Sequence, residues 1–255
     1  METPHRVRVT RHRHFLAPSI FALIILLMWA MAARWMNPIV LPGPGAVAQR
    51  VVEELRSGQI WPYAAVTAQA ALGGSAVGAV VGIPLGYLLA TSRLVRHTLS
   101  PWIAASQAIP AIALAPLLVM WVGYGMTPTV LLCALMVFFP MVITTHLGIR
   151  DIDPDIIAAA RLDGTGRLQL LRYIQAPVAA PAILTGLRAG LTLSITGAVV
   201  GEFIMGGKGL GMLLTVYRDS TDTVGVFAVL IWLCTMAAVL YGGVTLLEHR
   251  MRDQQ

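Results

Sequence analysis

Between Pro62 and Thr91 the chain runs PYAAVTAQAALGGSAVGAVVGIPLGYLLAT without one charged side chain. A bilayer's hydrocarbon core needs about 20 mainly apolar residues in helical conformation to cross it, and this stretch exceeds that. Within it Gly74, Gly78, Gly82 and Gly86 recur at every fourth position. That spacing stacks the glycines on one helix face and lets a second helix approach backbone to backbone. The segment therefore predicts a membrane-spanning helix tightly packed against another.

Five further apolar stretches flank it: Phe15 to Met36, Pro101 to Val122, Pro128 to Leu147, Ala182 to Met205 and Val224 to Leu247. The expected fold class is all-α, a polytopic membrane protein with six transmembrane helices. Composition agrees, with 57% hydrophobic and 12% charged residues in 255, about half the charge of an ordinary soluble domain. The turn Gly123-Tyr124-Gly125-Met126-Thr127 is short enough to make the third and fourth helices an antiparallel pair. In the fifth helix Gly186, Gly190 and Ser194 share a face, followed by Gly197 and Gly201, and Pro84, Pro110 and Pro116 interrupt backbone bonding inside spans. The first apolar stretch is too long for a signal-peptide core and is followed by Arg34-Trp35-Met36-Asn37 rather than small residues, so it is expected to remain as a first span.

The net charge of +6 is carried almost wholly by arginine. The arginines sit beside apolar segments and form no aromatic-interleaved basic run, which argues for topology-setting charge and against a nucleic-acid partner. Arg6, Arg8, Arg11 and Arg13, then Arg93 and Arg96, then Arg150, Arg161, Arg167, Arg172 and Arg188, then Arg250 and Arg252 fall on one side by alternation. The other side has Arg34, Arg50, Arg56, Lys208 and Arg218. The imbalance places both termini in the cytoplasm. The expected organisation is a cytoplasmic basic tail, residues 1–14, and one transmembrane domain, residues 15–255, carrying a cytoplasmic loop over residues 148–180. Cys133 and Cys234 lie inside apolar runs and read as packing residues, with no metal site.

Outside the spans, Leu41-Pro42-Gly43-Pro44-Gly45 is a turn, and Val47, Val51, Val52 and Leu55 alternate with Gln49, Arg50, Glu53 and Glu54 as in a short amphipathic helix at the interface. Within the spans, Gln107, Thr192 and Ser194 could line a polar pathway or bond neighbouring helices, and Pro110 marks the third helix as a pathway candidate. Glu202 is the one acid close to a spanning core, a position that defaults to a functional reading, although an interfacial pairing is open to it.

The segment Gly148 to Ala180 is too long and too patterned for a plain connector. Asp153 is an N-cap, Pro154 suits the first helical position and Asp155 favours the helix dipole, so a short helix should run through Ile156, Ala158, Ala159, Ala160 and Leu162. Gly164 should stop it in the left-handed conformation. Thr165 can cap a second helix, Arg167 to about Gln175, which Pro177 ends.

At these residues the chain resembles the permease subunits of binding-protein-dependent ABC importers, whose loop reads Glu-Ala-Ala, three residues, Gly, nine residues, Ile-x-Leu-Pro. Here Ala158-Ala159-Ala160, Gly164 and Ile174-Gln175-Ala176-Pro177 occupy that pattern, with Ala158 and Ala176 at the glutamate and leucine positions. Leu41-Pro42-Gly43-Pro44, the Ala111 to Gly123 stretch and Gly201-Glu202-Phe203 resemble the nitrate, sulfonate and taurine branch, and Asp222-Thr223 to Ala228 leans towards thiamine-precursor or riboflavin-like members. The resemblance implies a type I importer permease in a bacterial cytoplasmic membrane. It carries a small polar or anionic solute delivered by an external binding protein, periplasmic or lipid-anchored, and works with a second permease copy as a homodimer. It also implies ABC ATPase subunits that carry ATP and Mg, with no cofactor on this chain. Asp155, Ala158, Ala159, Ala160, Gly164, Arg167, Ile174 and Pro177 are then the residues that couple to the ATPase. The chain itself is expected to be non-catalytic: Gly206-Gly207-Lys208-Gly209 lacks the Ser or Thr that follows lysine in a phosphate-cradling loop. A secondary transporter or channel driven by ion gradients is the alternative. Such proteins place acids or bases in mid-membrane, often with inverted repeats and broken helices, and neither is evident here. Neither a metal-holding aspartate cluster nor a strained Gly-x-Ser-x-Gly nucleophile turn is present.

Overall fold

The computed structural model describes residues 13–252, so all but the last two positions of the basic tail lie outside the described residues. The elements in order are α1 (Arg13–Trp35), α2 (Pro44–Ser57), α3 (Ile60–Thr91), α4 (Arg93–Ser106), a 3₁₀ turn (Ala111–Leu114), α5 (Ala115–Val122), α6 (Met126–Arg150), α7 (Pro154–Leu162), α8 (Arg167–Leu170), a π turn (Leu171–Gln175), α9 (Ala176–Met205), α10 (Leu210–Asp219) and α11 (Thr223–Arg252). The described residues are helical apart from the turns between these elements.

Among the described residues four helices are long and apolar enough to cross a membrane: α3, α6, Arg167–Met205 and α11 over Thr223–Leu246. The expected third span, Pro101 to Val122, is not one helix. It is divided between α4 and α5, which are bent by 95° relative to each other. The cause is a pair of prolines. Pro110 has no N–H to continue α4 and holds extended backbone at ψ 119°, while Pro116 fits only the first turn of α5. The apolar part of α1, Ser19–Trp35, is shorter than the other spans. It is held at the rim by the Trp29 indole, which donates to the Pro42 carbonyl at 3.0 Å and stacks on Phe227.

The core is a three-helix layer with α6 between α3 and α9. Both glycine faces found in the sequence meet α6. A Cβ built on Gly78 would lie 2.7 Å from the Ala134 carbonyl oxygen and 2.8 Å from Val137 Cβ, and one on Gly86 would lie 2.6 Å from the Val142 oxygen. From the other side Gly190 makes room for Val137 and Gly201 for Thr129. Cys133 is fully buried in this layer with Ala70, Ala71, Ile195 and Ala198, whereas Cys234 is exposed on α11. Ser194, also fully buried, donates to the Ala71 carbonyl at 2.7 Å and accepts the Cys133 thiol at its own carbonyl, 3.2 Å. It pins α9 to α3.

The amphipathic reading of α2 is corrected in one respect. Val47 is buried, but so is Glu54, while Val52 and Leu55 are exposed. Glu54 accepts from Arg50 Nε at 3.1 Å, the Tyr217 hydroxyl at 3.1 Å and the Trp232 indole at 3.0 Å. Arg50 also reaches Asp222 at 3.2 Å. Bonding to the Tyr217 hydroxyl, ahead of that to Glu54, raises the Arg50 guanidinium above its ordinary value. Burial pushes the Tyr217 phenol up. Both groups therefore hold their bonding protonation states at neutral pH, and this knot joins α2, α10 and α11 at one end of the bundle.

Candidate functional site

Three loci carry the chemistry: a hairpin beyond one end of the spans, a groove at the α4–α5 elbow, and a carboxylate at the opposite end. The hairpin begins where Asp153 Oδ1 accepts the Asp155 N–H at 2.9 Å and starts α7. Two bonds close its far end: the Thr165 N–H donates to Ala160 O at 3.1 Å and the Gly164 N–H to Arg161 O at 3.1 Å. This is the paired closure that needs a left-handed residue between helix and exit, and Gly164 stands at φ 79°. The second helix is capped at Gly166, whose N–H donates to Gln169 Oε1 at 3.0 Å. Thr165, expected to cap it, lies one position too early.

Pro177 does not end that helix. Arg167–Met205 is one continuous run of 39 residues, because the π turn Leu171–Gln175 widens the helix just before the proline, with the Ala176 N–H donating back to Leu171 O. A turn with i→i+5 bonding absorbs the ring and the missing donor without a break. The hairpin is thus rigidly continuous with α9. It is also tied to α3: Gln175, buried, accepts the Tyr87 hydroxyl at 3.2 Å, and Ile149, Ile152 and Ala179 pack with Tyr87 and Ile157.

Of the expected coupling residues, Asp155, Ala158, Ala159, Gly164 and Arg167 are exposed, whereas Ala160 is turned inward and Ile174 and Pro177 are half-buried. The sequence reading missed the larger apolar groups on the same outer surface: Leu162 is 90% exposed and Leu168 76%. Their signal was present, as leucines in an otherwise polar loop flanking the glycine turn.

At the elbow, Gln107 and Pro110 line a groove of about 450 Å³ with Leu135, Met136, Phe139 and Leu193. Thr192 is exposed nearby in sequence, with its hydroxyl donating to the Arg188 carbonyl at 3.1 Å. Ser194 and Glu202 do not line this groove. Glu202, 4% exposed, accepts the Thr67 hydroxyl at 2.7 Å and the Gly211 N–H at 2.6 Å, with the Met212 N–H also turned to it. Thr67 Oγ1 in turn accepts the Leu210 N–H at 2.8 Å. The first donors of α10 are therefore satisfied by a carboxylate and a hydroxyl from two other helices, which places negative charge at the positive end of the helix dipole. Gly209 is required for space, since any Cβ there would overlap the Glu202 carboxylate. Glu202→Gln puts an NH₂ group against backbone donors. It is expected to destabilise the solubilised protein by about 2–3 kcal/mol, read as a fall in melting temperature. Unchanged melting with reduced transport would instead assign Glu202 to the pathway.

Arg188, well inside α9, pairs with Glu248 at 3.0 Å and lies 5.7 Å from the Tyr241 ring centre. Among the described residues no group of three or more metal-ligating side chains comes together.

A family model described as binding-protein-dependent transport system inner membrane component matches residues 82–253. The chain is 41% identical over 229 residues to the riboflavin transport system permease protein RibX of Chloroflexus aurantiacus, covering 89% of this chain and 85% of the relative. It is 30% identical over 235 residues to the formylaminopyrimidine transport permease protein ThiX of Halalkalibacterium halodurans, covering 92% and 94%. To the taurine transport system permease protein TauC of Escherichia coli it is 28% identical over 242 residues, covering 92% and 88%. Among solved structures, an inward-facing form of the MetNI methionine ABC transporter superposes with a TM-score of 0.69 at 19% identity, covering 78% of this chain and 98% of that one. At that identity the likeness concerns the fold.

Proposed function

The chain belongs to the family of binding-protein-dependent transport system inner membrane components, and we propose that its α7–α8 hairpin is the surface through which a separate ATPase drives it. As a multi-pass permease subunit of an importer, it supplies the translocation pathway. The observation that carries the coupling assignment is the exposure of Leu162 and Leu168 on a capped, rigid surface outside the spans. Large apolar side chains standing in water mark a protein interface. Asp155, Ala158, Ala159, Gly164 and Arg167 share that surface. ATP and Mg belong to the ATPase, a second permease copy completes the pathway, and a binding protein delivers cargo from the other side. The termini and the 148–180 loop then face the cytoplasm of a bacterial cell, and the Gly206 to Thr223 loop faces outward. Co-purification of a soluble ATPase and ATP-dependent uptake by the complex is the expected result. Proton- or sodium-driven uptake by this chain alone would establish the ion-coupled alternative.

The cargo is a neutral polar solute. Arg188, well inside α9, and Glu202, near its end, are both bonded within the bundle, and the elbow groove offers one amide, Gln107, among apolar and aromatic side chains. An anion crossing there would find no counter-charge, whereas a flat heterocycle would stack on Phe139 and bond Gln107. The similarity to permeases named for riboflavin and formylaminopyrimidine runs in the same direction. Cells expressing the whole system, and lacking other routes, are expected to accumulate riboflavin and not ethanesulfonate. The reverse pattern would refute a neutral cargo.

A further inference from the structure

The helix that enters α9 is unbroken, but it is thinly bonded where it leaves the hairpin. The π turn Leu171–Gln175 has helical backbone on either side of it, and Pro177 and Pro181 follow within the next two turns. Neither proline has an N–H, so two rungs of the helix ladder are missing there. Prolines and π turns are the places where helices bend. A push on the hairpin at Leu162 and Leu168 therefore has two outlets. It displaces α9 as a whole, or it folds the helix at the π turn and is lost.

One side chain from the π turn bears on which outlet is taken. Gln175 is buried and accepts the Tyr87 hydroxyl at 3.2 Å, near the end of α3. At that level α3 is not free to follow a bending helix. A Cβ on Gly86, the residue before Tyr87, would lie 2.6 Å from the Val142 oxygen and 2.7 Å from Thr145 Cβ, so α3 is seated against the backbone of α6. The bond thus runs from the weakly bonded stretch of the long helix to a firmly seated part of the central layer.

Its surroundings are apolar: Ile149, Ile152 and Ala179, with Ala90, Ile157 and Ile183 packed on them. Apolar contact alone would hold the two helices together and still let one slide over the other. A hydrogen bond is directional, and a low-dielectric setting strengthens it. Two further bonds tie α3 to α9, from Ser194 to the Ala71 carbonyl and from Thr67 to Glu202. Both lie beyond the prolines, so they stiffen the bundle without holding its junction with the hairpin.

We propose that Tyr87 is a positioning residue of the coupling machinery: its bond to Gln175 braces the π turn against bending, so that displacement of the hairpin reaches α3, α6 and α9 as one body. The brace rests on the reading of the hairpin as the ATPase-facing surface.

Two measurements test it, both in chains carrying Cys234→Ser, since Cys133 is fully buried. In the first, the full-length chain in lipid nanodiscs carries spin labels in place of Val80 and Ala158, both exposed, and is diluted with unlabelled chain so that each distance lies within one copy. Wild type should give one narrow distance distribution. Tyr87→Phe, which keeps the ring and removes only the hydroxyl, should give a distinctly broader one. Thr91→Val removes a hydroxyl that bonds within α3 and should match wild type. In the second, the complex with its ATPase carries a cysteine in place of Ala108 at the exposed elbow. Its alkylation by a water-soluble maleimide is timed with and without ATP and vanadate. The nucleotide-dependent change in rate should shrink about two- to tenfold in Tyr87→Phe, as expected for one hydrogen bond. Gln175→Met should shrink it equally, with no further loss in the double variant, and it serves alone if Tyr87→Phe does not fold.

Leu162→Asp separates this proposal from the reading beneath it. If Leu162→Asp abolishes the rate change and Tyr87→Phe keeps it, the hairpin remains the coupling surface and the brace is refuted. If both keep it, the two fall together. An unbroadened distribution in Tyr87→Phe, a lower melting temperature with the rate change intact, or no nucleotide-dependent change in wild type would each overturn the brace as well.

Discussion

Gly78→Val is expected to break the packing of the central layer. Its Cβ would fall 2.7 Å from the carbonyl oxygen of Ala134 and 2.8 Å from Val137 Cβ. The first of these is backbone of α6 and cannot rotate away. Either α3 withdraws from α6 along its length or the valine is forced against a carbonyl, and α6 cannot yield in the other direction because Gly190 and Gly201 hold α9 equally close behind it. Overpacking of this kind costs about 3 kcal/mol or somewhat more, which for a chain of this size corresponds to roughly 6–12 °C in melting temperature. Scanning fluorimetry of the solubilised protein reads it. Gly242→Ala in α11, where nothing lies within 4 Å of the added carbon, is the matched control and should melt as wild type. Equal melting of Gly78→Val and wild type would mean that the α3–α6 contact is looser than described.

This contact also marks what the sequence makes legible. The four-residue glycine spacing in α3 and α9 announces a close helix partner, because only small residues permit it. It does not say which helix, and α6 has no corresponding stripe: it supplies Cys133, Val137, Met141 and Thr145 to the glycines of α3, and Thr129, Cys133, Val137 and Thr144 to those of α9. The caps of the hairpin were equally readable, since Asp153, Pro154 and Gly164 each meet a local backbone requirement. Where tertiary context decides, the reading failed. Pro177 suggests a stop when only the residue before it is considered, yet a π turn upstream removes the conflict. Hydrophobicity made one span of Pro101 to Val122, yet Pro110 and Pro116 together divide it. Glu54 sits on the charged stripe of α2 by spacing, but it is buried because Tyr217 and Trp232, more than 160 positions away, bring donors to it. Glu202 was recognisable as exceptional, and its partners again come from distant elements.

The hairpin permits a sharper experiment, because its turn is held by conformation and not by packing. Nothing lies within 4 Å of a Cβ added at Gly164, so φ 79° is the whole constraint. Asparagine tolerates that region and valine does not, at a strain of about 1–3 kcal/mol. Gly164→Val should relieve the strain by unwinding the end of α7, displacing Leu162 and the exposed alanines from their common surface. With a tenfold change for each 1.4 kcal/mol, the docked arrangement should become about five- to 150-fold rarer, and ATP-driven uptake by the reconstituted complex should fall accordingly. Gly164→Asn should keep most of the activity. Membrane insertion and melting of the bundle should be unchanged in both, since α3, α6 and α9 do not contact the turn. Leu162→Asp provides the complementary test. It leaves the backbone intact but sets a charge on the 90%-exposed apolar position, and should likewise uncouple hydrolysis from uptake. If Gly164→Val and Leu162→Asp both transport as wild type while ATPase remains bound, the hairpin is not the coupling surface, and the continuous α8–α9 helix must be driven from another contact.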